Sequence, residues 1–120
     1  MMNQDRIDEI VGDYVKAASS DYVGLWQIVI RVRHDFGLSD HTENRKIVMR
    51  IIKGMLSAGL EAVTLGPVGP GRTPWGNQNP HYVLDRISSE WDHLGHDPNP
   101  GDIVWFNGKP GSIERSEIGN

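Results

Sequence analysis

The sequence predicts a mainly α-helical domain with a small antiparallel β-sheet, an α+β fold of four helices and two strands. Four stretches repeat apolar residues at intervals of three and four, which is typical of helices that bury one face. Two short apolar segments follow the third and fourth of these stretches and have the composition of strands. The length of 120 residues suits one domain. We therefore expect a single globular domain over residues 1–107 and a flexible tail over 108–120, where glycine, serine and charge dominate.

The first two helices are predicted over about residues 4–18 and 22–36. Asp21 is the expected N-cap of the second helix, and Gly37 stands at its C-cap because glycine enters the left-handed conformation without strain. The run of β-branched residues in this segment also fits a strand, but the spacing favours a helix. Ile28 and Ile30 add apolar positions beyond the main face, so we expect burial on two sides. The two apolar faces are Ile7, Ile10, Val11, Tyr14, Val15 and Ala18, then Tyr22, Leu25, Trp26, Val29, Val32 and Phe36.

The third helix is predicted over about 43–58, capped by either Asp40 or Thr42 and ended by Gly59. The fourth is predicted over about 80–94, because Asn79 followed by Pro80 forms a typical helix start and Gly95 a typical end. Residues 60–65 and 102–106 are the two strand candidates and can pair antiparallel. The segment 66–79 between them is rich in glycine and proline and is predicted to be a loop.

Three helices followed by a strand, a long loop and a strand form the outline of a winged helix, although a fold does not fix a function. In this winged-helix-like arrangement the third helix carries Lys46, Arg50 and Lys53 as a basic stripe. Such a stripe contacts phosphates and base edges in DNA-binding proteins, so a winged-helix transcriptional regulator is the alternative function. The net charge of −4 argues against it, since DNA-binding modules are usually positive. Nucleic acid is therefore not the expected partner.

Composition and motifs exclude several other functions. The absence of cysteine removes disulfides, thiolate catalysis and cysteine-based zinc sites. No apolar run is long enough for a membrane span, and the first residues do not look like a signal peptide, so a cytoplasmic location is expected. No nucleophile motif is present, which predicts that the protein is not an enzyme. Gly95 is expected to end the fourth helix between His93 and His96, so neither a metal site nor a cofactor is predicted.

Charge is distributed unevenly along the chain. Residues 31–60 hold six Lys and Arg against three Asp and Glu, whereas residues 61–102 hold two against six. Asp85 and Asp92 are seven residues apart and fall on nearly the same helix face, with Glu90 between them and Asp97 just beyond the helix. Clustered carboxylates can steer a strongly basic partner toward this region.

The region from residue 20 to 107 resembles a family of small bacterial proteins. The resemblance rests on Pro74–Trp75, on a Tyr22-Val23-x-Leu25-Trp26 start, and on a W-x-x-L-G-x-D-P-x-x-G-D-I-x-W-F segment from Trp91 to Phe106. Proteins of this kind are often encoded beside polymorphic or contact-dependent growth-inhibition toxins, which implies an immunity protein.

The resemblance implies a protein that binds and neutralises a cognate toxin by occluding its active site or substrate surface. We expect it to be a monomer or a weak homodimer, although the sequence does not decide between them. A nuclease is the expected class of toxin, because enzymes that act on a polyanion are usually basic. The candidate partner-binding residues are Asp85, Glu90, Asp92 and Asp97, with Trp75 as an aromatic anchor in the loop. The loop 66–79 is the alternative place for these contacts.

Overall fold

The structure, a computed structural model, describes residues 2–37, 40–65, 72–99 and 102–108. The predictions for the loop residues 66–71 and for the tail beyond 108 lie outside these ranges. In chain order the elements are α1 Met2–Ala17, β1 Val23–Gly24, α2 Leu25–Phe36, α3 His41–Ser57, β2 Leu60–Leu65, β3 Arg72–Pro74, α4 Pro80–Leu94 and β4 Trp105–Gly108. The chain is therefore mainly helical with a small antiparallel sheet, as predicted.

Local capping explains where three of the helices begin or end. Gly37 and Gly95 adopt the left-handed conformation, with φ of 61° and 78°. Asn79 accepts a hydrogen bond from the His81 amide at 2.9 Å. Asp40, rather than Thr42, caps α3, because its Oδ1 accepts the Thr42 amide at 2.8 Å.

The start of α2 differs from the prediction. Asp21 does not cap this helix, because Val23 and Gly24 are extended and pair with Phe106 and Trp105 of β4. The helix begins at Leu25, and the Gln27 side chain accepts the Gly24 amide at 2.6 Å. Sheet pairing therefore displaces the helix start by three residues.

The sheet has four strands in the order β1-β4-β2-β3, all antiparallel, so the prediction of two strands was wrong. The predicted pairing of the two longer strands is confirmed, with Ala62 of β2 opposite Phe106 of β4. The last strand covers 105–108 rather than 102–106, because Asp102 and Ile103 form a bend in which Ile103 has a φ of 67°. The other correction is β3, which crosses part of the predicted loop and pairs with β2.

One hydrophobic core joins the helices to the sheet. Its fully buried members include Ile10 of α1, Ile28 of α2, Ile51 of α3, Ile87 of α4 and Phe106 of β4. The prediction that α2 is buried on two sides was wrong, because Ile30 is 53% exposed on its outer face. Within the described ranges, none of the helices has the length and apolar character that crossing a membrane requires.

Candidate functional site

A groove that is open to solvent lies between helices α3 and α4. Two adjoining cavities of about 500 and 630 Å³ share Thr42, Arg45 and Asp92, and together we call them the α3–α4 groove. The larger cavity lies along the middle of α3, and the smaller one lies at the carboxyl end of α4. The remaining lining residues are His41, Trp91, Gly95, His96 and Asp97 in the smaller cavity, and Lys46, Met49, Arg50 and Ser88 in the larger one.

Arg45 connects the two walls of the groove. Its Nη2 donates to the carbonyl oxygen of Ser88 at 2.8 Å and to the hydroxyl of Ser88 at 2.9 Å. Its Nη1 lies 2.8 Å from a carboxylate oxygen of Asp92, and its guanidinium lies 4.9 Å from the centre of the Trp91 ring. A planar guanidinium can satisfy all these contacts at once. Arg45 therefore fixes the distance between α3 and α4 and partly neutralises Asp92.

The carboxyl end of α4 is held by a second ionic cluster. Asp97 pairs with Arg33 in the last turn of α2, and the His41 ring lies 3.8 Å from the same carboxylate. Three elements thus meet at one side chain: α2, the start of α3, and the turn after α4. Asp97 lines the groove, but its charge is engaged within the molecule.

The four predicted acidic contact residues do not form one surface. At 100° per residue, Asp85 and Asp92 are about 20° apart around α4, whereas Asp85 and Glu90 are about 140° apart. Glu90 accepts a hydrogen bond from Arg86 at 2.7 Å, away from the side that carries Asp85 and Asp92. Asp85 and Asp92 are well exposed, and Asp85 lies 3.8 Å from His81. Only Asp92 and Asp97 line the α3–α4 groove.

Trp75 is not an exposed aromatic anchor, contrary to the prediction. It is 4% exposed, and its Nε1 donates to the hydroxyl of Thr64 at 2.9 Å. The guanidinium of Arg86 stacks 3.8 Å from its ring centre. Gln78 donates to the Trp75 carbonyl oxygen at 2.8 Å. Trp75 is therefore part of the core, where it anchors the chain between β3 and α4.

The predicted basic stripe is exposed along α3. Lys46 lies 3.4 Å from Glu43, and Arg50 donates to the neutral side-chain amide of Gln4. An amide carries no charge, so this hydrogen bond does not compensate the charge of Arg50. Lys46 and Arg50 line the groove opposite Ser88 and Asp92, and Lys53 continues the stripe beyond it.

A separate polar cluster joins α1 to α2. The Asp35 side chain is only 6% exposed and lies within 2.9 Å of His34 Nδ1, Arg31 Nε and Arg6 Nη2. Hydrogen bonds from His34 and Arg31 lower the pKa of Asp35 from 3.8 to about 2. Burial raises the pKa of Tyr14, whose ring lies 5.8 Å below the Arg31 guanidinium. This cluster is on another part of the molecule and stabilises the α1–α2 contact.

The histidines near α4 bond to the backbone. Nδ1 of His93 lies 2.8 Å from the Ser89 carbonyl oxygen, and Nδ1 of His96 lies 2.7 Å from that of Asp97. In the part of the chain that the structure describes, no three His, Asp or Glu side chains are grouped to hold a metal ion.

The groove contains residues from both predicted sets. Asp92 and Asp97 from the protein-binding set share the groove with Lys46 and Arg50 from the DNA-binding set. Sequence reasoning missed Arg45 as the central residue, because its partners are more than forty positions away in the chain. Comparison with protein-family models, with curated proteins and with solved structures gives no match.

Proposed function

We propose that this protein is an immunity protein that binds a cognate bacterial toxin through the α3–α4 groove and neutralises it. The observation that supports this proposal best is the fixed position of Arg45 between Ser88, Asp92 and Trp91. Side chains already held in place lose little conformational entropy on binding, so more of the contact energy appears as affinity. Arginine and tryptophan are also the residues most often found at the energetic centre of protein interfaces.

The charges of the groove favour a partner with acidic and basic groups on one surface. Lys46 and Arg50 present positive charge from α3, and Asp92, which is 67% exposed, presents negative charge from α4. A partner whose charges are arranged differently would bring like charges together and bind poorly. A cognate pair needs this kind of selectivity. The net charge of −4 and the exposed Asp85 favour a basic toxin overall. We accordingly propose that the toxin is a nuclease. The protein would bind it in the cytoplasm and cover its active site or the surface beside it.

A groove-filling substitution tests this function. We expect Thr42→Trp, which places a large ring where the two cavities meet, to abolish protection of cells that express the toxin encoded immediately upstream. Ser57→Trp is the matched control, because Ser57 is another small, exposed side chain of α3 but lies outside the groove. Protection lost with Thr42→Trp and kept with Ser57→Trp supports the proposal. Full protection by both variants, or by neither when both are folded, would contradict it.

A winged-helix regulator is the second candidate, and the topology favours it. The chain order α1-β1-α2-α3-β2-β4, with the sheet order β1-β4-β2, is the arrangement of a winged helix. On this interpretation β3 and α4 are insertions in the wing, and α3 is the recognition helix. Lys46, Arg50 and Lys53 would contact phosphates, which predicts that the logarithm of the binding constant falls with the logarithm of salt concentration with a slope of about −2.7.

Fluorescence anisotropy of labelled duplex DNA at low salt distinguishes the two functions. If the protein is an immunity protein, we expect no salt-dependent binding to the duplex. The variants Lys46→Gln and Lys53→Gln should then behave like wild type. Binding with the slope above, reduced by about one unit for each lysine removed, would favour the regulator instead.

A further inference from the structure

The backbone is strained at Ile103, two residues before β4. Its φ of 67° is the only positive value at a residue other than glycine in the described ranges. A β-branched side chain disfavours this conformation, because its Cβ crowds the neighbouring carbonyl oxygen. Across Ile103, the Val104 amide donates to the Asp102 carbonyl oxygen at 2.8 Å. A bond of this span around a positive φ forms a γ-turn of the rarer, more strained kind.

The turn at Ile103 also ends the pairing between β2 and β4. The last pair of this ladder is Val63 with Trp105, although β2 continues to Leu65. On the side away from β2, the Val104 carbonyl oxygen accepts the amide of the first residue of α2 at 3.2 Å. Because hydrogen-bonding directions alternate along a strand, positions 103 and 105 of a continuous strand face β2. In the same register, an extended Ile103 would lie opposite Leu65 and exchange two backbone hydrogen bonds with it.

Composition and packing are both compatible with a longer β4. Ile103 and Val104 are β-branched, which favours strands. Val104 and Phe106 are two residues apart and both fully buried, so an extended segment keeps them on the core face of the sheet. A strand that begins at residue 103 therefore needs no change of register and keeps the same side chains in the core.

The bonds of the turn after α4 oppose this extension. The Asn99 amide donates to the Asp102 carboxylate at 2.8 Å, and the Asp102 amide donates to the Asn99 carbonyl oxygen at 3.0 Å. Two residues before Asn99, Asp97 pairs with Arg33 of α2. Asn99 and Asp102 are therefore expected to move together, and the pair of Asp97 with Arg33 resists their displacement toward β2.

We propose that residues 102–104 form a conformational switch between the strained turn and an extension of β4 in which Ile103 pairs with Leu65. Release of strain and two additional hydrogen bonds favour the extension, whereas the anchoring of Asp97 by Arg33 favours the turn. Asp97 lines the α3–α4 groove, so the extension draws it away and changes the smaller cavity. A partner that binds the groove with Asp97 in place shifts the equilibrium toward the turn. The switch does not depend on what that partner is.

Two substitutions of Ile103 test the strain. Ile103→Gly and Ile103→Ala both remove the branched side chain, but only glycine adopts a positive φ without strain. We expect the glycine variant to unfold at a higher urea concentration than the alanine variant. This order is opposite to the one at ordinary positions, where alanine is the more stable because glycine loses more entropy on folding. An alanine variant that is equally stable or more stable would show that Ile103 is not strained and would overturn the proposal.

NMR relaxation dispersion of the backbone amides of the full chain tests the exchange itself. In wild type we expect microsecond-to-millisecond exchange at Leu65, Asp97 and Val104. Ile103→Gly should remove this exchange, because the strain that favours the extension is gone. Gly12→Ala is the control substitution in α1 and should leave the exchange unchanged. A wild type without exchange, or exchange that persists in Ile103→Gly, would refute the switch. Exchange at Leu65 and Val104 but not at Asp97 would refute its connection to the groove.

Discussion

Replacing Arg45 with alanine measures how firmly α3 and α4 are held together. The hydrogen bonds to the Ser88 carbonyl and hydroxyl, at 2.8 and 2.9 Å, are made by a charged and half-buried donor. Together they contribute about 1–1.5 kcal/mol. The pair with the well-exposed Asp92 adds about 0.5 kcal/mol, and the contact with Trp91 at 4.9 Å adds about 0.5–1 kcal/mol. We therefore expect Arg45→Ala to lower the free energy of unfolding by about 2–3 kcal/mol.

Equilibrium unfolding in urea, followed by far-UV circular dichroism, measures this loss. We expect a lower urea concentration at the unfolding midpoint and an unchanged dependence of the unfolding free energy on urea concentration. Arg45→Lys keeps the charge but not the fork of donors, so we expect it to retain about half of the stabilisation. A double-mutant cycle with Asp92→Ala is expected to give a coupling energy of about 0.5 kcal/mol. If Arg45→Ala changes the free energy of unfolding by less than about 0.5 kcal/mol, Arg45 does not fix the groove and the argument from pre-organisation fails.

Four further substitutions test other parts of the structure. The pKa of Asp35 lies at about 2, below its ordinary 3.8, so the stability it provides is present above pH 4 and is lost as the pH falls toward 2. Asp35→Asn should therefore lower stability at pH 7 by about 1–2 kcal/mol, after allowance for its exposed partners, and by much less near pH 2. Gly12→Ala should stabilise α1 by about 0.5–1 kcal/mol, because a Cβ there meets nothing within 4 Å. Gly54→Ala should destabilise by about 1–3 kcal/mol, because its Cβ would lie 2.8 Å from Val11 Cγ2. Trp75→Ala should cost about 3–5 kcal/mol, as a core tryptophan does.

Urea unfolding of the same variants also shows which outcomes would contradict these predictions. A difference between wild type and Asp35→Asn that is the same at pH 7 and near pH 2 would mean that the carboxylate is not held by its cationic partners. Gly12→Ala is the control for Gly54→Ala, since both replace a glycine inside a helix, and equal effects would refute the close contact with Val11. A Trp75→Ala variant as stable as wild type would contradict the assignment of Trp75 to the core.

The sequence was most informative where structure is local. The four helices follow from apolar spacing, and the ends at Gly37, Asn79 and Gly95 follow from capping rules. β1 could not be found in this way, because a strand of two residues exists only through its pairing with β4. β3 lies in a glycine- and proline-rich segment, where composition favours a loop.

The candidate site was harder to predict because its contacts are distant in sequence. Asp92 and Asp97 were identified by their position on or just after the fourth helix. Their pairing with Arg45 and Arg33 depends on how α2, α3 and α4 pack. Ile30 illustrates the same limit, since hydrophobic spacing placed it inside and the packing of α2 leaves it outside. Periodicity alone could not identify which face of α2 remains exposed.

Hydrogen exchange of the full chain, with and without the purified toxin, tests most directly whether the α3–α4 groove is the binding surface. We expect slower amide exchange in residues 41–50 and 88–97 when the toxin is bound, with little change in α1. Slower exchange confined to α2 or to residues 66–79, with the groove unchanged, would contradict it.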